Sequence, residues 1–530
     1  MLFASREKQR RAVIFKRHIK PFIFLGALLF QPTPVDSVLV KLGPARTSKC
    51  GVTTQHSFDS RVAFYFARSN EKREALYLSR GLQQAPRSER GTSANSKQTP
   101  RTQTTDCATD ATYQYFERIQ KREYLKNPIA RKYLDSRTVD ALLDQKGNEL
   151  NQRPNTGNAK KPYSTEELNS IKQQLKMIKL PTCYEDSMIH FLISNYVSEI
   201  ERARQALKLQ LVLPPKYGTL PIADINAATY PATATTDSII GFNAQLFMFD
   251  YEMAKVVLPL FDIGLNAENS LMADISRKSV ERVLKENRNI ANNFLSALLE
   301  FMLLIPQQDR PVDQVYDVPV MALATGMELF AVGHEYGHLI KKHVSSQTTL
   351  QFAEGNKDVA VENYAVPVLL RSWKQEFEAD DIGLTLEIQV LRNSPVFYDP
   401  LRWLYMLYGV EFYFKCMEVV DRAKYVRDNG RLPQALTPEE VAYLRSVENG
   451  PPNDKDAVRF AKLLTENHPP AWLRLERMQR EIDKYVKGQS IPENVRAYSQ
   501  LGAAIIEDVD LLWDSTASNL PALIQEVRQN

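Results

Sequence analysis

The clearest hydrophobic pattern lies in the middle of the chain. Residues 320–333 read VMALATGMELFAVG, an apolar run rich in alanine and glycine. Such a run is typical of a central helix that packs closely on most of its sides. The sequence turns polar at Lys341 and Lys342, so this helix is predicted to leave the core at that point.

Further helices are predicted around this segment. Apolar residues at helical spacing mark three stretches: 188–200, 473–487 and 495–512. One long helix is predicted from about Asn269 to Ile305, where Pro306 ends it. The most apolar runs, 294–305 and 403–420, are interrupted by charged residues. Charges within such runs favour buried helices over membrane spans.

One region has the pattern of strands instead. From Ile222 to Phe249, β-branched and small residues alternate, with Pro231 and Gly241 as interruptions. An antiparallel hairpin is predicted here, either as a plain structural element or with an edge that pairs with an extended substrate. The predicted fold class is therefore α+β and predominantly helical, with a small antiparallel sheet beside the central helix.

The polar residues at the end of the central run carry the candidate chemistry. His334, Glu335 and His338 form an HExxH motif. On a helix, positions i and i+4 lie on one face, so the two imidazoles can share one tetrahedral zinc ion. The Glu beside the first His is then placed to act as a general base.

A catalytic zinc site needs a third protein ligand. His343 is close in sequence but is predicted to point to another face of the same helix. The spacing does not match metzincins, which would place His where Val344 stands. Glu376 lies far enough beyond His338 for one loop and a returning helix, which could bring its carboxylate to the zinc. Asp380, one turn further, could anchor a ligating His, although this acidic stretch could also be a solvated helix face.

HEYGH followed by EFEAD resembles the gluzincin metallopeptidases of the CAAX-prenyl-protease and HtpX type. Residues 226–231 with 238–242 are similar to that family's Asn-Ala strand pair. His468-Pro-Pro with Arg474 resembles its His-Pro…Arg element. The resemblance covers roughly residues 215–480. It implies a zincin-like core, with metal ligands His334, His338 and Glu376, Glu335 as base, and Asp380 behind a ligand.

Two departures from that family pattern concern the substrate. The Asn-Ala stretch lacks the glycine pair found between the family's strands, and the chain has no pair of long membrane spans. The phage-exclusion protease Lit and its relatives also carry HEYGH, in a soluble protein, and are an alternative kinship. Membrane substrates therefore do not follow from the resemblance.

Two residues are candidates for stabilising a developing oxyanion. His468 or Arg474 could serve, as could a tyrosine. The alternative for the His468-Pro-Pro segment is a plain helix start, because proline favours the first helical turn. His190 lies on an apolar helical pattern and is interpreted as a core or boundary histidine.

Composition narrows the class of protein. Of 530 residues, 44% are hydrophobic and 25% are charged, as in ordinary globular proteins. The net charge of +4 arises in residues 1–20, and the near balance elsewhere argues against a nucleic-acid surface. The cysteines show neither metal-site spacing nor a disulfide framework, so all are predicted to be reduced thiols: Cys50, Cys107, Cys183 and Cys416.

The chain start allows two interpretations. The apolar segment 21–30 is too short to span a bilayer and has the length of an export signal. No small-x-small cleavage site follows it. A poorly structured extension in a cytoplasmic protein is favoured, and export or membrane association through residues 1–30 is the alternative.

Four regions are predicted. They are a basic, low-complexity extension (1–110), a helical region (111–210), a zincin-like catalytic core (211–400) and a closing helical region (401–530). The predicted function is a zinc endopeptidase with one Zn²⁺ per chain, acting on a protein or peptide. The alternatives are a host-defence or toxin-type protease with one dedicated target, and a silent binding protein on the same scaffold.

Overall fold

The computed structural model describes residues 108, 110–126, 131, 134, 180–221, 227–231, 238–265, 271–303, 310, 316–343, 365–394, 400–448, 468–489 and 500–529. They belong to one compact unit that comprises Gln103–Thr138 and Leu180–Asn530. Of the predicted extension 1–110, residues 1–107 and 109 lie outside the described residues.

The described part of the chain is predominantly helical, as predicted. Its helices are α1 (Ala111–Lys126), α2 (Ser187–Ala206), α3 (Ala244–Val257), α4 (Arg277–Glu286), α5 (Arg288–Met302), α6 (Asp317–Ile340), α7 (Ala365–Asn393), α8 (Pro400–Asn429), α9 (Pro438–Glu448), α10 (Ala471–Lys487), α11 (Leu501–Thr516) and α12 (Leu520–Gln529). The described strands are β1 (Lys216–Leu220), β2 (Ala227–Pro231), β3 (Ser238–Asn243), β4 (Asp262–Leu265) and β5 (Leu271–Asp274).

Helix α6 is the centre of the fold. It packs against α7 and α8 along its length and also contacts α2, α3 and strand β2. Most of its described side chains are buried, whereas Lys341 and Lys342 just beyond it are exposed. The prediction of a closely packed central helix that leaves the core at the lysines is confirmed.

The predicted antiparallel sheet needs correction. Strands β2 and β3 do pair antiparallel, but β1 joins the other edge of β3 in parallel, so the sheet is mixed with the order β1-β3-β2. The hairpin pattern also ends early, because Ala244 begins helix α3 directly after Asn243. Alternation of small and β-branched residues could not show that the strand just before the hairpin would pair in parallel with β3.

The long helix predicted over 269–305 is also wrong. Strand β5 and two helices occupy this stretch, and Asn287 separates the helices with φ −123° and ψ 81°. Ser276 caps the N-terminus of α4, and the side chain of Asn287 accepts a hydrogen bond from the backbone N–H of Asn289 at the start of α5. Apolar spacing alone does not reveal such a break, because the apolar residues of both helices recur with the same helical period.

Two other predictions concern the apolar runs and the cysteines. The apolar runs fall on α5 and α8, which are mostly buried, and none of the described helices combines the length and apolar character needed to cross a bilayer. The prediction of four reduced thiols is wrong at Cys183, which is disulfide-bonded. Cys416 is a buried free thiol.

Candidate metal centre

Three buried side chains from α6 and α7 converge on one point. The Nε2 atoms of His334 and His338 lie 3.1 Å apart. Each is 3.4 Å from a carboxylate oxygen of Glu376, Oε2 for His334 and Oε1 for His338. Imidazole nitrogen and carboxylate oxygen are ligands that suit a divalent transition metal. This group can hold a metal ion.

The close approach of the two helices creates this convergence. Gly333 faces Gly383, and Gly337 faces Ala379, so α6 and α7 run antiparallel with their backbones almost in contact. A Cβ atom on Gly337 would lie 2.7 Å from the carbonyl oxygen of Ala379. Small residues at these positions therefore let the carboxylate of Glu376 reach both histidines.

His334 is held from behind by an ion pair. Its Nδ1 lies 2.9 Å from Oδ1 of Asp380. Arg474 of helix α10 donates two hydrogen bonds to the same carboxylate, at 2.6 Å to Oδ1 and 2.9 Å to Oδ2. Asp380 and Arg474 are both buried, so the bidentate pair fixes the orientation of the imidazole from within the core.

His338 is held by a different arrangement. Its Nδ1 lies 3.0 Å from Nδ1 of His343, whose Nε2 is 3.0 Å from a carboxylate oxygen of Glu378. His343 is not on helix α6, because the helix ends at Ile340 and Lys342 adopts a positive φ of 59°. The chain reverses there and brings the His343 ring back against His338.

Glu335 lies on the side of the group that faces the sheet. It is buried, and its Oε2 accepts a hydrogen bond of 2.7 Å from the hydroxyl of Thr229 on strand β2. Burial raises the pKa of Glu335, while the positive charge of His334 and the Thr229 hydrogen bond oppose the rise. A carboxylate with a raised pKa is a stronger base than an exposed one.

His468 borders the group next to Glu376. Its Nδ1 lies 3.1 Å from Oε2 of Glu376, and its side chain is 45% exposed. Burial opposes protonation of His468, but the negative charge of Glu376 outweighs it and raises the pKa. Pro470 caps helix α10, which begins at Ala471. The segment therefore serves as a helix start and also places an imidazole at the site.

The pKa values of the three predicted ligands are shifted in different directions. Burial would lower the pKa of His334, but hydrogen bonds to Asp380 and Glu376 raise it to about 9. Burial and the charge of His334 lower the pKa of His338 to about 3. Burial would raise the pKa of Glu376, but His468 and His334 lower it well below its usual range. These pKa shifts favour an ionised Glu376, a protonated His334 and a neutral His338.

Arg474, a candidate for stabilising the oxyanion, contacts Asp380 more closely than it contacts the predicted metal ligands. Its Nη2 donates a hydrogen bond of 2.6 Å to Asp380, which lies behind His334, whereas its Nη1 is 3.5 Å from Oε2 of Glu376. His190 is buried, stacks on Tyr217 and contacts Glu185, away from the metal group.

Sequence reasoning missed three contributors to the site. Thr229 gives no sign of a role, because its contact with Glu335 spans two distant elements. His343 was placed on the wrong face, because its position depends on the positive φ of Lys342. Glu378 was part of the acidic stretch, and only its contact with His343 distinguishes it from a solvated carboxylate.

Comparison with known protein families, curated proteins and solved structures finds no match to this chain. Function is therefore inferred from the residues of the site.

Proposed function

We propose that this protein is a zinc-dependent endopeptidase with a zincin-like core, and that His334, His338 and Glu376 hold one zinc ion. The observation that carries the proposal is the convergence of two Nε2 atoms and one carboxylate beside the buried Glu335. Two imidazoles and one carboxylate are a donor set that zinc hydrolases use. When bound, zinc supplies Lewis acidity, which polarises a carbonyl and makes water acidic enough to lose a proton near neutral pH.

The side chains around the group divide the remaining work. Glu335 takes a proton from the attacking water and delivers it to the leaving amine. Thr229 holds Oε2 of Glu335, so Oε1 is the atom we assign to the proton. Strand β2 is at the edge of its sheet and carries Thr229, which suits an extended peptide lying beside Glu335.

His468 and Arg474 receive different roles. His468 is partly exposed next to Glu376, and its raised pKa favours the imidazolium. We assign it to stabilise the developing oxyanion. Arg474 is buried and committed to Asp380, so we assign it to positioning His334.

The decisive variant is Glu335→Gln, which keeps the shape of the side chain but removes the base. Both proteins, loaded with zinc, are incubated with peptides from a tryptic digest of a cell lysate, and new peptide termini are counted by mass spectrometry. Wild type should generate new termini, and the variant should do so at least about 100-fold more slowly, since general acid–base catalysis contributes about 10²–10⁴-fold. Equal cleavage by the variant would refute the mechanism.

The same assay addresses the alternatives. If wild type retains zinc and cleaves one protein of an intact lysate but no digested peptides, a protease with a single dedicated target is favoured. If it retains zinc and cleaves nothing in either sample, a binding protein on this scaffold is favoured.

A further inference from the structure

The two histidines of the metal group are each held through Nδ1, but by different partners. His334 meets the carboxylate of Asp380, whereas His338 meets a third imidazole, that of His343. His343 in turn contacts Glu378. His338, His343 and Glu378 thus form a linear chain of side chains, which we call the His338 relay.

The Glu378 carboxylate at the end of the His338 relay determines where the hydrogens lie. A carboxylate only accepts hydrogen bonds, so the 3.0 Å contact with Glu378 requires the proton of a neutral His343 on Nε2. Its Nδ1 then has a lone pair and accepts from Nδ1–H of His338 across 3.0 Å. Consequently Nε2 of His338, which faces His334 and Glu376, has its lone pair directed at the metal group.

We propose that His343 and Glu378 are positioning residues that fix the tautomer and orientation of His338 for metal binding, an inference that rests on the proposed zinc site. Partners of this kind orient a ligating imidazole and increase its basicity, and their loss typically weakens metal binding about 10–100-fold. The relay would do for His338 what Asp380 does for His334.

The backbone is built to hold this arrangement. The reversal at Lys342, with φ 59°, is closed by a 2.9 Å hydrogen bond from the backbone N–H of His343 to the carbonyl of His338. His343 is 4% exposed. Glu378 has a side chain that is 36% exposed, so it can be substituted with little effect on the core.

The relay is tested by the affinity of the full chain for Zn²⁺ alone, measured by competition with a chromophoric chelator. His343→Leu fills the space without an acceptor, whereas His343→Asn places an amide oxygen near the position of Nδ1. We expect about 10–100-fold weaker binding for His343→Leu, near-wild-type binding for His343→Asn, and an intermediate loss for Glu378→Leu, which removes the acceptor of the His343 Nε2–H. Lys374→Gln, which alters an exposed neighbour 3.8 Å from Glu378, is the control and should bind like wild type.

Each outcome is informative. If His343 only fills space, the Leu variant will keep its affinity and the Asn variant will lose it, which overturns the relay. If Glu378→Leu, whose change lies at a partly exposed side chain, binds Zn²⁺ as tightly as wild type, the relay is also overturned, even where a His343 variant fails to fold. A folded wild type that binds no Zn²⁺ would instead remove the proposed zinc site on which the relay depends.

Discussion

Asp380 and Arg474 show how individual residues hold the site in place. Asp380 is fully buried between an imidazole and a guanidinium group. Burial would raise the pKa of Asp380, but the charge of Arg474 and the hydrogen bond from His334 lower it. A buried charge of this kind is tolerable only while its partner is present. The residues behind the ligands therefore contribute to stability as well as to geometry.

The ion pair gives a prediction about stability. Arg474→Met should lower the free energy of unfolding by about 3–5 kcal/mol, because the buried Asp380 carboxylate loses its guanidinium partner and keeps only the His334 imidazole. The double variant Asp380→Asn/Arg474→Met should recover part of that loss, since it removes both charges of the buried Asp380–Arg474 pair. Urea unfolding of the three proteins measures both effects.

A matched control separates burial from pairing. Arg445 makes a similar two-pronged contact with Glu476, but at the surface. Arg445→Met should leave the unfolding free energy almost unchanged, since exposed ion pairs contribute little. A loss as large as that of Arg474→Met would contradict the role given to burial.

Sequence reasoning works well for local residue geometry and poorly for returning chains. The i, i+4 spacing of His334 and His338 predicts their shared face, because helical periodicity is fixed. The convergence of Glu376 and Asp380 with them in the fold agrees with the predicted returning helix. The position of His343 depends on one backbone reversal, and the contact of Thr229 depends on a strand distant in sequence. Neither is encoded in a local pattern.

At the scale of elements, the site depends on the contact between α6 and α7. Gly337 lies one residue before His338 and faces Ala379, three residues after Glu376. The alanine- and glycine-rich pattern predicted a closely packed helix, but not which helix would pack there. Which glycines face α7 and which face α8 depends on tertiary packing, which a single sequence does not show.

The contact gives a second prediction. Gly337→Ala should destabilise the fold by about 1–3 kcal/mol, because the added Cβ forces the helices apart, and it should weaken zinc binding by displacing Glu376. Alanine otherwise favours a helix over glycine by about 1 kcal/mol, so the observed loss is a net value. Thermal unfolding and zinc affinity measure the two effects.

Gly488 is the matched control for this substitution. It caps α10 with φ −78°, and a Cβ there would meet its nearest atom at an ordinary 3.4 Å. Gly488→Ala should therefore be neutral or slightly stabilising. If Gly337→Ala behaved the same way, close helix contact would not be what brings the ligands together.

At the scale of the whole molecule, a buried carboxylate makes the stability of the fold depend on pH. Glu387 on α7 is fully buried, and neither of its oxygens has a hydrogen-bond partner among the described residues. Burial raises its pKa well above the usual 4.5. The folded protein therefore keeps this proton at pH values where the unfolded chain has lost it.

Protonation of Glu387 leads to the third prediction. The contribution of the protonated side chain to stability is fully present below pH 4.5 and is lost as the pH rises through its folded pKa. Each tenfold difference in proton affinity between the folded and unfolded chain corresponds to about 1.4 kcal/mol. Glu387→Gln cannot ionise, so the variant should be more stable than wild type at pH 7 and nearly equal to it at pH 4. Urea unfolding at both pH values measures the difference.

An exposed carboxylate provides the comparison. Glu507 is exposed on α11, and Glu507→Gln should show no such gain on going from pH 4 to pH 7. If Glu387→Gln were no more stable than wild type at pH 7, Glu387 would be ionised within the fold and its burial would be compensated by another group.

The central claim is that His334, His338 and Glu376 hold one zinc ion, and zinc content per chain tests it most directly. Elemental analysis of the full chain should find about one zinc in wild type and in Glu335→Gln, because a catalytic site takes three protein ligands and Glu335 is not one of them. Glu376→Gln should retain much less. A well-folded wild type without zinc, or undiminished zinc in Glu376→Gln, would contradict the account.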